Sequence, residues 1–207
     1  MIHISGTLPW YVARSSGLVA WTLLAAAVAW GLLMTSGAVR AWAKNSWLLD
    51  LHRWLGALAL TFTAVHVLAI LADTYTHFGL ATVLVPLTAS WHPVAVAWGI
   101  ASLYLLAAVE VTSLLRRHLR QKLWRRVHYA SFPLFVFATV HGVSAGTDGR
   151  TPMAIAAVVT AGSALAFLVV ARQRARRATT LRRRPTAVDR HIQPSAPVPP
   201  RVHQPAH

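Results

Sequence analysis

The longest apolar runs in this chain are long enough to cross a lipid bilayer. About 20 apolar residues in helical form span the ~30 Å hydrocarbon core of a membrane. Five runs of about this length occur, at residues 10–34, 46–72, 93–115, 127–145 and 152–171. A shorter apolar stretch, 78–90, is typical of an interfacial or re-entrant segment. The expected fold is therefore an all-α integral membrane protein built as a five-span helical bundle.

The charge distribution predicts how the bundle is oriented. Only 12% of the residues are charged, about half of the roughly 25% found in soluble proteins. The 20 Lys and Arg residues outnumber the 5 acidic ones. They cluster at residues 40–44, at 116–126 and after residue 171, whereas the connections 73–92 and 146–151 have almost none. The positive-inside rule then predicts an N-terminus outside and a C-terminus in the cytoplasm.

Three segments divide the chain. Residues 1–14 form an N-terminal segment, 15–172 the membrane domain, and 173–207 a basic, Pro-rich tail that we expect to be disordered. The first apolar run lacks a basic N-region and exceeds a signal-peptide core in length, so we expect it to be retained. The basic tail predicts attraction to anionic membrane lipid rather than to nucleic acid. The Ala- and Arg-rich, Lys-poor composition indicates a bacterial plasma membrane protein.

The ligand-forming residues narrow the possible chemistry. The chain has no Cys and only three Met, which excludes disulfides, thiolate metal sites and thioether-attached haem and disfavours a methionine copper site. Histidine is abundant, with 11 residues. A histidine inside a membrane span is costly and points to function.

Four histidines lie within two of the predicted spans. His52 and His66 are 14 residues apart in the second span, and His128 and His141 are 13 apart in the fourth. These separations correspond to about 21 and 20 Å along a helix. Because both spans run in the same predicted direction, we expect an inner pair, His52 with His128, and an outer pair, His66 with His141. Two facing imidazoles can supply both axial ligands of a haem iron.

The helical phase of the two spans differs. Fourteen residues fall about 40° short of whole turns, so His52 and His66 share a face, whereas thirteen fall about 140° short. A straight helix would point His128 and His141 in different directions. Pro133 lies between them, and a proline kink allows both to face the same neighbour.

The histidine motifs resemble those of a known family. LHRWLG at 51–56 followed by His66, and LWRRVHY at 123–129 followed by His141, are similar to the ferric reductase-like transmembrane domain. Ferric reductases, NADPH oxidases and the haem subunit of bacterial sulfoxide reductases share this domain. The resemblance covers residues 15–172. It implies two haem b groups, one with His52 and His128 as iron ligands and one with His66 and His141.

The expected function is electron transfer across the membrane. We predict a b-type cytochrome, the electron-transfer subunit of an oxidoreductase, without catalytic residues or a bound flavin of its own. No Gly-rich dinucleotide turn follows the last span, so a separate flavoprotein, reductase or quinol must supply or accept electrons. The direction expected is from a cytoplasmic donor to an extracytoplasmic acceptor. Alternatives are a quinol-linked haem subunit serving an extracytoplasmic reductase or flavoprotein, a histidine-based metal-ion transporter, and a membrane anchor.

Several further residues carry weaker expectations. Arg53, Arg125 and Arg126 lie near the inner pair. They either form ion pairs with the haem propionates or are the positive charges expected on the cytoplasmic side of a membrane protein. Asp50 is placed to pair with Arg53. The acid of the third span, Glu110, suits either pairing toward the cytoplasm or a proton relay. Two outer-connection histidines, His77 and His92, are expected to be solvated.

Overall fold

The computed structural model describes residues 8–36, 39, 44–73, 78–146 and 149–182. Within these residues the regular structure is entirely helical, which confirms the all-α prediction. The helices are α1 Leu8–Ser36, α2 Asn45–Ala72, α3 Leu80–Leu84, α4 Pro93–Leu114, α5 Gln121–His128, α6 Ser131–Ala145 and α7 Pro152–Arg182.

Four of the described helices are long and apolar enough to cross a membrane. These segments are Leu8–Ser36, Ser46–Ala72, Pro93–Leu114 and Pro152–Arg174. The remaining predicted span is divided between α5 and α6. With 15 residues, α6 alone is about 22 Å long, less than the ~30 Å core of a bilayer. A multi-pass membrane protein is therefore supported, while the count of five spans stays a prediction.

The break in the fourth predicted span lies between α5 and α6, one turn before Pro133. Pro133 has no N–H to donate to the carbonyl of Tyr129, and its ring crowds that carbonyl. The chain instead bonds three residues back, from Phe132 N to Tyr129 O (3.2 Å) and from Ala130 N to Val127 O (2.9 Å). The predicted interruption between His128 and His141 is therefore present, and it takes the form of a tight turn rather than a kink at the proline itself.

Two helix pairs form the body of the bundle. α1 packs most extensively against α2, and α4 against α6, while contacts of α1 with α6 and of α2 with α4 join the two pairs. Apolar side chains from α1, α4, α6 and α7 share one core, which contains Leu24, Val28, Leu32, Leu106, Leu134, Phe135 and Leu165. Burial of these side chains fixes the depth at which α1 and α6 face one another.

The chain divides into a compact unit that ends at Arg172 and a second unit that begins at Gln173, within α7. The predicted disordered tail differs from the structure at 173–182, which are helical as the end of α7. This stretch contains Gln, Arg, Ala and Leu, which favour helix, and the next proline is Pro185. The rest of the predicted tail, 183–207, lies outside the described residues.

Candidate functional site

The structure brings together each of the two predicted histidine pairs. The ring centroids of His52 and His128 are 5.9 Å apart, and those of His66 and His141 are 6.2 Å apart. The two rings of a pair are inclined by 73° and 79°, respectively. α2 thus supplies one member of each pair, and the other member comes from α5 at the inner level and from α6 at the outer level.

Both rings of the outer pair are held by backbone carbonyls of neighbouring helices. His66 Nδ1 lies 2.6 Å from the carbonyl oxygen of Ala13 on α1. His141 Nδ1 lies 2.8 Å from the carbonyl oxygen of Ala95 on α4. A carbonyl can only accept, so each Nδ1 carries the proton and donates it. The Nε2 atom of each ring then keeps its lone pair and is available to a metal.

Each histidine ring of the outer pair packs against a glycine on the neighbouring helix. A methyl group on Gly17 would lie 2.9 Å from Nδ1 of His66, and one on Gly99 would lie 2.8 Å from Nδ1 of His141. Each glycine is four residues after the alanine whose carbonyl accepts the hydrogen bond. In a helix that carbonyl also accepts the N–H of the glycine, and its second lone pair serves the imidazole.

The inner pair is supported differently. A methyl group on Gly31 of α1 would lie 3.4 Å from Cε1 of His52, which is ordinary van der Waals contact. Among the described residues, the Nδ1 atoms of His52 and His128 are both buried and neither makes a hydrogen bond of standard geometry, but His52 has a weaker contact with the backbone carbonyl of Ala27, four residues before Gly31. The two levels therefore share the pairing of imidazoles but differ in the strength of the hydrogen bonds behind them.

On α5, an aromatic ring supports His128. The rings of Trp124 and His128 stack at 5.1 Å between centroids with 23° between their planes. The guanidinium carbon of Arg116 lies 4.4 Å from the centroid of the Trp124 ring. Arg116, Trp124 and His128 thus form a stack that places a positive charge near the inner pair.

The glycines were not identified from the sequence, although a signal for two of them is present. The pentapeptide AVAWG occurs at 27–31 on α1 and again at 95–99 on α4. Its glycine faces His52 in the first copy and His141 in the second. A search for short identical stretches within the apolar runs would have found this repeat.

Comparison with protein families identifies the membrane domain. The family model for the ferric reductase like transmembrane component matches residues 16–139, more than half of the chain. The chain belongs to this family. The matched region contains His52, His66 and His128 and ends two residues before His141. Membership in the ferric reductase-like family indicates electron transfer across a membrane.

The other comparisons add no relative. No curated protein and no solved structure matches the chain.

Around the inner level of this ferric reductase-like domain lies an open, basic cleft of about 400 Å³. Of the three predicted arginines, only Arg53 lines it, together with Ser113, Leu114, Arg116 and Arg117. Arg125 and Arg126 are exposed on α5. The predicted contact of Arg53 with Asp50 is present, with 3.2 Å between Nη1 and Oδ1 on the exposed surface.

The remaining predicted residues lie away from the pairs or outside the described part. Glu110 on α4 faces α2, where a methyl group on Gly56 would lie 2.8 Å from its Oε1. His92 precedes α4 in a left-handed conformation with φ 44° and its ring is next to that of Trp91. His77 lies outside the described residues. None of these contacts assigns a proton-relay role to Glu110.

Proposed function

We propose that this chain is a b-type cytochrome that carries electrons across the membrane through two bis-histidine haems. The observation that carries the proposal is the presence of two imidazole pairs, each with its rings about 6 Å apart. The pairs are separated by 14 residues along α2, or about 21 Å. The inner haem would be held by His52 and His128, and the outer haem by His66 and His141.

The spacing within each pair suits a metal ion between the rings. A metal–imidazole bond is about 2.0 Å long, and the ring centre is about 1 Å further, so two imidazoles that bound one metal ion between them would have centroids about 6 Å apart. The centroid distances of 5.9 and 6.2 Å agree with this value. At the outer level both Nδ1 atoms donate to carbonyls, which leaves both Nε2 atoms for the metal.

The number of ligands favours haem over a bare metal ion. Among the described residues, no group of three or more His, Cys, Asp or Glu side chains is placed to hold a metal ion. A bound divalent cation usually takes four or more ligands. A haem needs only two axial ligands from the protein because its porphyrin supplies the rest. Two isolated imidazole pairs therefore support a cytochrome better than an ion transporter.

The chain's own residues would hold, orient and shield the two haems. The haem site at His52 and His128 is called the inner centre, and the site at His66 and His141 the outer centre. When bound, haem iron supplies a reversible one-electron change. The histidines would hold the iron atoms, and Gly17, Gly99 and the carbonyls of Ala13 and Ala95 orient the two outer imidazoles. The apolar core of Leu24, Leu106 and Leu134 excludes water between the helices, which favours direct electron transfer over side reactions.

The charge distribution supports a direction of electron transfer and a kind of partner. The basic cleft at Arg53, Arg116 and Arg117 lies at the end predicted to face the cytoplasm. A surface of this charge favours the approach of an anionic or acidic electron donor. We propose that a separate flavoprotein or reductase donates electrons there and that an extracytoplasmic partner, acceptor protein or quinone, receives them at the outer level.

The test is a haem count on the purified full-length protein. The reduced-minus-oxidised absorption spectrum identifies the haem type, and extraction gives the number of haems per chain. We expect two haem b groups in the unmodified protein. His66→Ala and His52→Ala should each leave one, while His118→Ala should leave both because His118 is exposed in the connection before α5.

Absence of haem after expression with ample haem supply would overturn the proposal. An unchanged count in both His52→Ala and His66→Ala would overturn the ligand assignment. Electron transfer across the membrane is tested separately, in vesicles that contain ferricyanide and receive dithionite outside. Reduction of the enclosed ferricyanide should require the protein and should be lost in His52→Ala.

A further inference from the structure

The two histidine pairs differ in the hydrogen bonds made by their Nδ1 atoms. In the outer pair both Nδ1 atoms contact a backbone carbonyl, at 2.6 Å for His66 and 2.8 Å for His141. In the inner pair both Nδ1 atoms are buried, and within the described part of the chain neither makes a hydrogen bond of this geometry; His52 has only a weaker contact with the backbone carbonyl of Ala27. The outer pair therefore has two full hydrogen bonds from Nδ1, and the inner pair has one weaker contact at His52 and none at His128.

The glycines determine whether a ring can reach a carbonyl. At Gly17 and Gly99 a methyl group would come within 2.9 and 2.8 Å of Nδ1, closer than real methyl contacts. Any side chain there would push the imidazole away from the Ala13 or Ala95 oxygen. At Gly31 the nearest ring atom of His52 would be 3.4 Å away, so this ring sits further from the backbone.

A hydrogen bond from Nδ1 changes the chemistry of the same ring at Nε2. An imidazole that donates Nδ1–H to a carbonyl is a stronger electron donor and a more basic ligand. A stronger donor stabilises the ferric form and so lowers the reduction potential of the iron that it holds. Two such bonds act on the outer centre.

The surroundings of the inner centre act in the opposite direction. Neither of its imidazoles makes a hydrogen bond as short and direct as those of the outer pair, and Arg116 lies over the Trp124 ring that stacks on His128. A positive charge near an iron centre favours the reduced form, which carries one positive charge less. The hydrogen bonds lower the reduction potential of the outer centre, and the nearby charge raises that of the inner centre. Both effects therefore make the outer potential the lower of the two.

We propose that Gly17 and Gly99 are positioning residues that hold His66 and His141 against the Ala13 and Ala95 carbonyls, and that the outer centre consequently has the lower reduction potential of the two. This inference rests on the proposed function. Transfer of an electron to a centre of lower reduction potential is unfavourable by itself. An electron that moves outward leaves the negative side of the membrane, so the membrane potential offsets this cost.

The experiment is a spectroscopic redox titration of the purified haem-loaded protein. The unmodified protein should titrate in two waves. His66→Ala, which removes an outer ligand, should abolish the lower wave and leave the higher one in place. Gly17→Ala and Gly99→Ala should each shift the lower wave upward, or abolish it where the ring is displaced completely.

Two glycine variants serve as controls. Gly162→Ala on α7 makes the same change in a helix where a methyl group meets nothing within 4 Å, and it should leave both waves unchanged. Gly31→Ala should also leave both waves near their original potentials because its contact is of ordinary length.

The inference fails if the wave that survives in His66→Ala is the lower one. It also fails if Gly17→Ala and Gly99→Ala leave the lower wave unchanged, or move only the higher wave. A protein without haem contradicts the proposed function instead, so the two failures are distinguishable.

Discussion

Trp21 on α1 donates a hydrogen bond of 2.9 Å from Nε1 to Oγ1 of Thr139 on α6. The Trp21 ring also stacks on Phe135, with 5.8 Å between centroids. Thr139 is two residues before His141, so this bond ties the first helix to the turn of α6 that carries an outer histidine. It also joins the helix pair α1 and α2 to the pair α4 and α6.

Loss of this bond should weaken the bundle measurably. Interhelical hydrogen bonds in membrane proteins average about 0.6 kcal/mol and reach about 1.7 kcal/mol. Trp21→Phe should therefore lower the free energy of unfolding by roughly this amount, measured by SDS titration of detergent-solubilised protein. Trp54→Phe is the matched control because Trp54 is 66% exposed on α2. Equal effects in the two variants would contradict a role for the bond.

Replacement of Pro133 should disturb the inner pair. In Pro133→Ala the residue regains an N–H for the Tyr129 carbonyl, so α5 and α6 can join into one helix. His128 and His141 would then be about 140° out of phase, and His128 would turn away from His52. We expect the haem count to fall from two toward one.

Pro152→Ala is the control for that change. Pro152 is the first residue of α7, where a helix does not use the N–H, so both haems should remain. Two haems and unaltered spectra in Pro133→Ala would show that the turn at 129–130 does not depend on the proline.

The ring of Trp124 should affect the inner centre alone. Trp124→Leu removes both the stack on His128 and the ring beneath Arg116, a cation–π contact of about 0.5–1 kcal/mol at an exposed site. The electron paramagnetic resonance signal of the inner ferric haem should change, and that of the outer haem should not. Trp124→Phe keeps an aromatic face and should restore the signal. A change confined to the outer signal would contradict this assignment.

Gly56→Ala should be tolerated despite a short contact. A methyl group there would lie 2.8 Å from Oε1 of Glu110, as close as the contact at Gly99. The carboxylate is the end of a flexible side chain and can swing aside, whereas the His141 ring is fixed by its carbonyl bond. We expect Gly56→Ala to keep two haems and unchanged potentials, in contrast to Gly99→Ala. A loss of haem in Gly56→Ala would instead give the Glu110 position a role at the inner centre.

Much of this protein can be read from local sequence. Apolar runs predict α1, α2, α4 and α7 because a helix must satisfy its backbone inside a bilayer. The separations 14 and 13 predict histidine pairs at matched levels because the rise per residue is constant. Pro133 predicts an interruption in the fourth run. These features depend on spacing along one chain segment, which the sequence contains in full.

Tertiary packing decided the rest. The carbonyls of Ala13 and Ala95 reach His66 and His141 only because α1 lies against α2 and α4 against α6. Gly17 and Gly99 look like ordinary small residues until the facing helix is placed. Lipid does not distinguish between apolar faces, so hydropathy alone cannot tell which faces meet. The sequence alone determined the helices and the depths of the histidines, whereas their hydrogen bonds depend on which helices become neighbours.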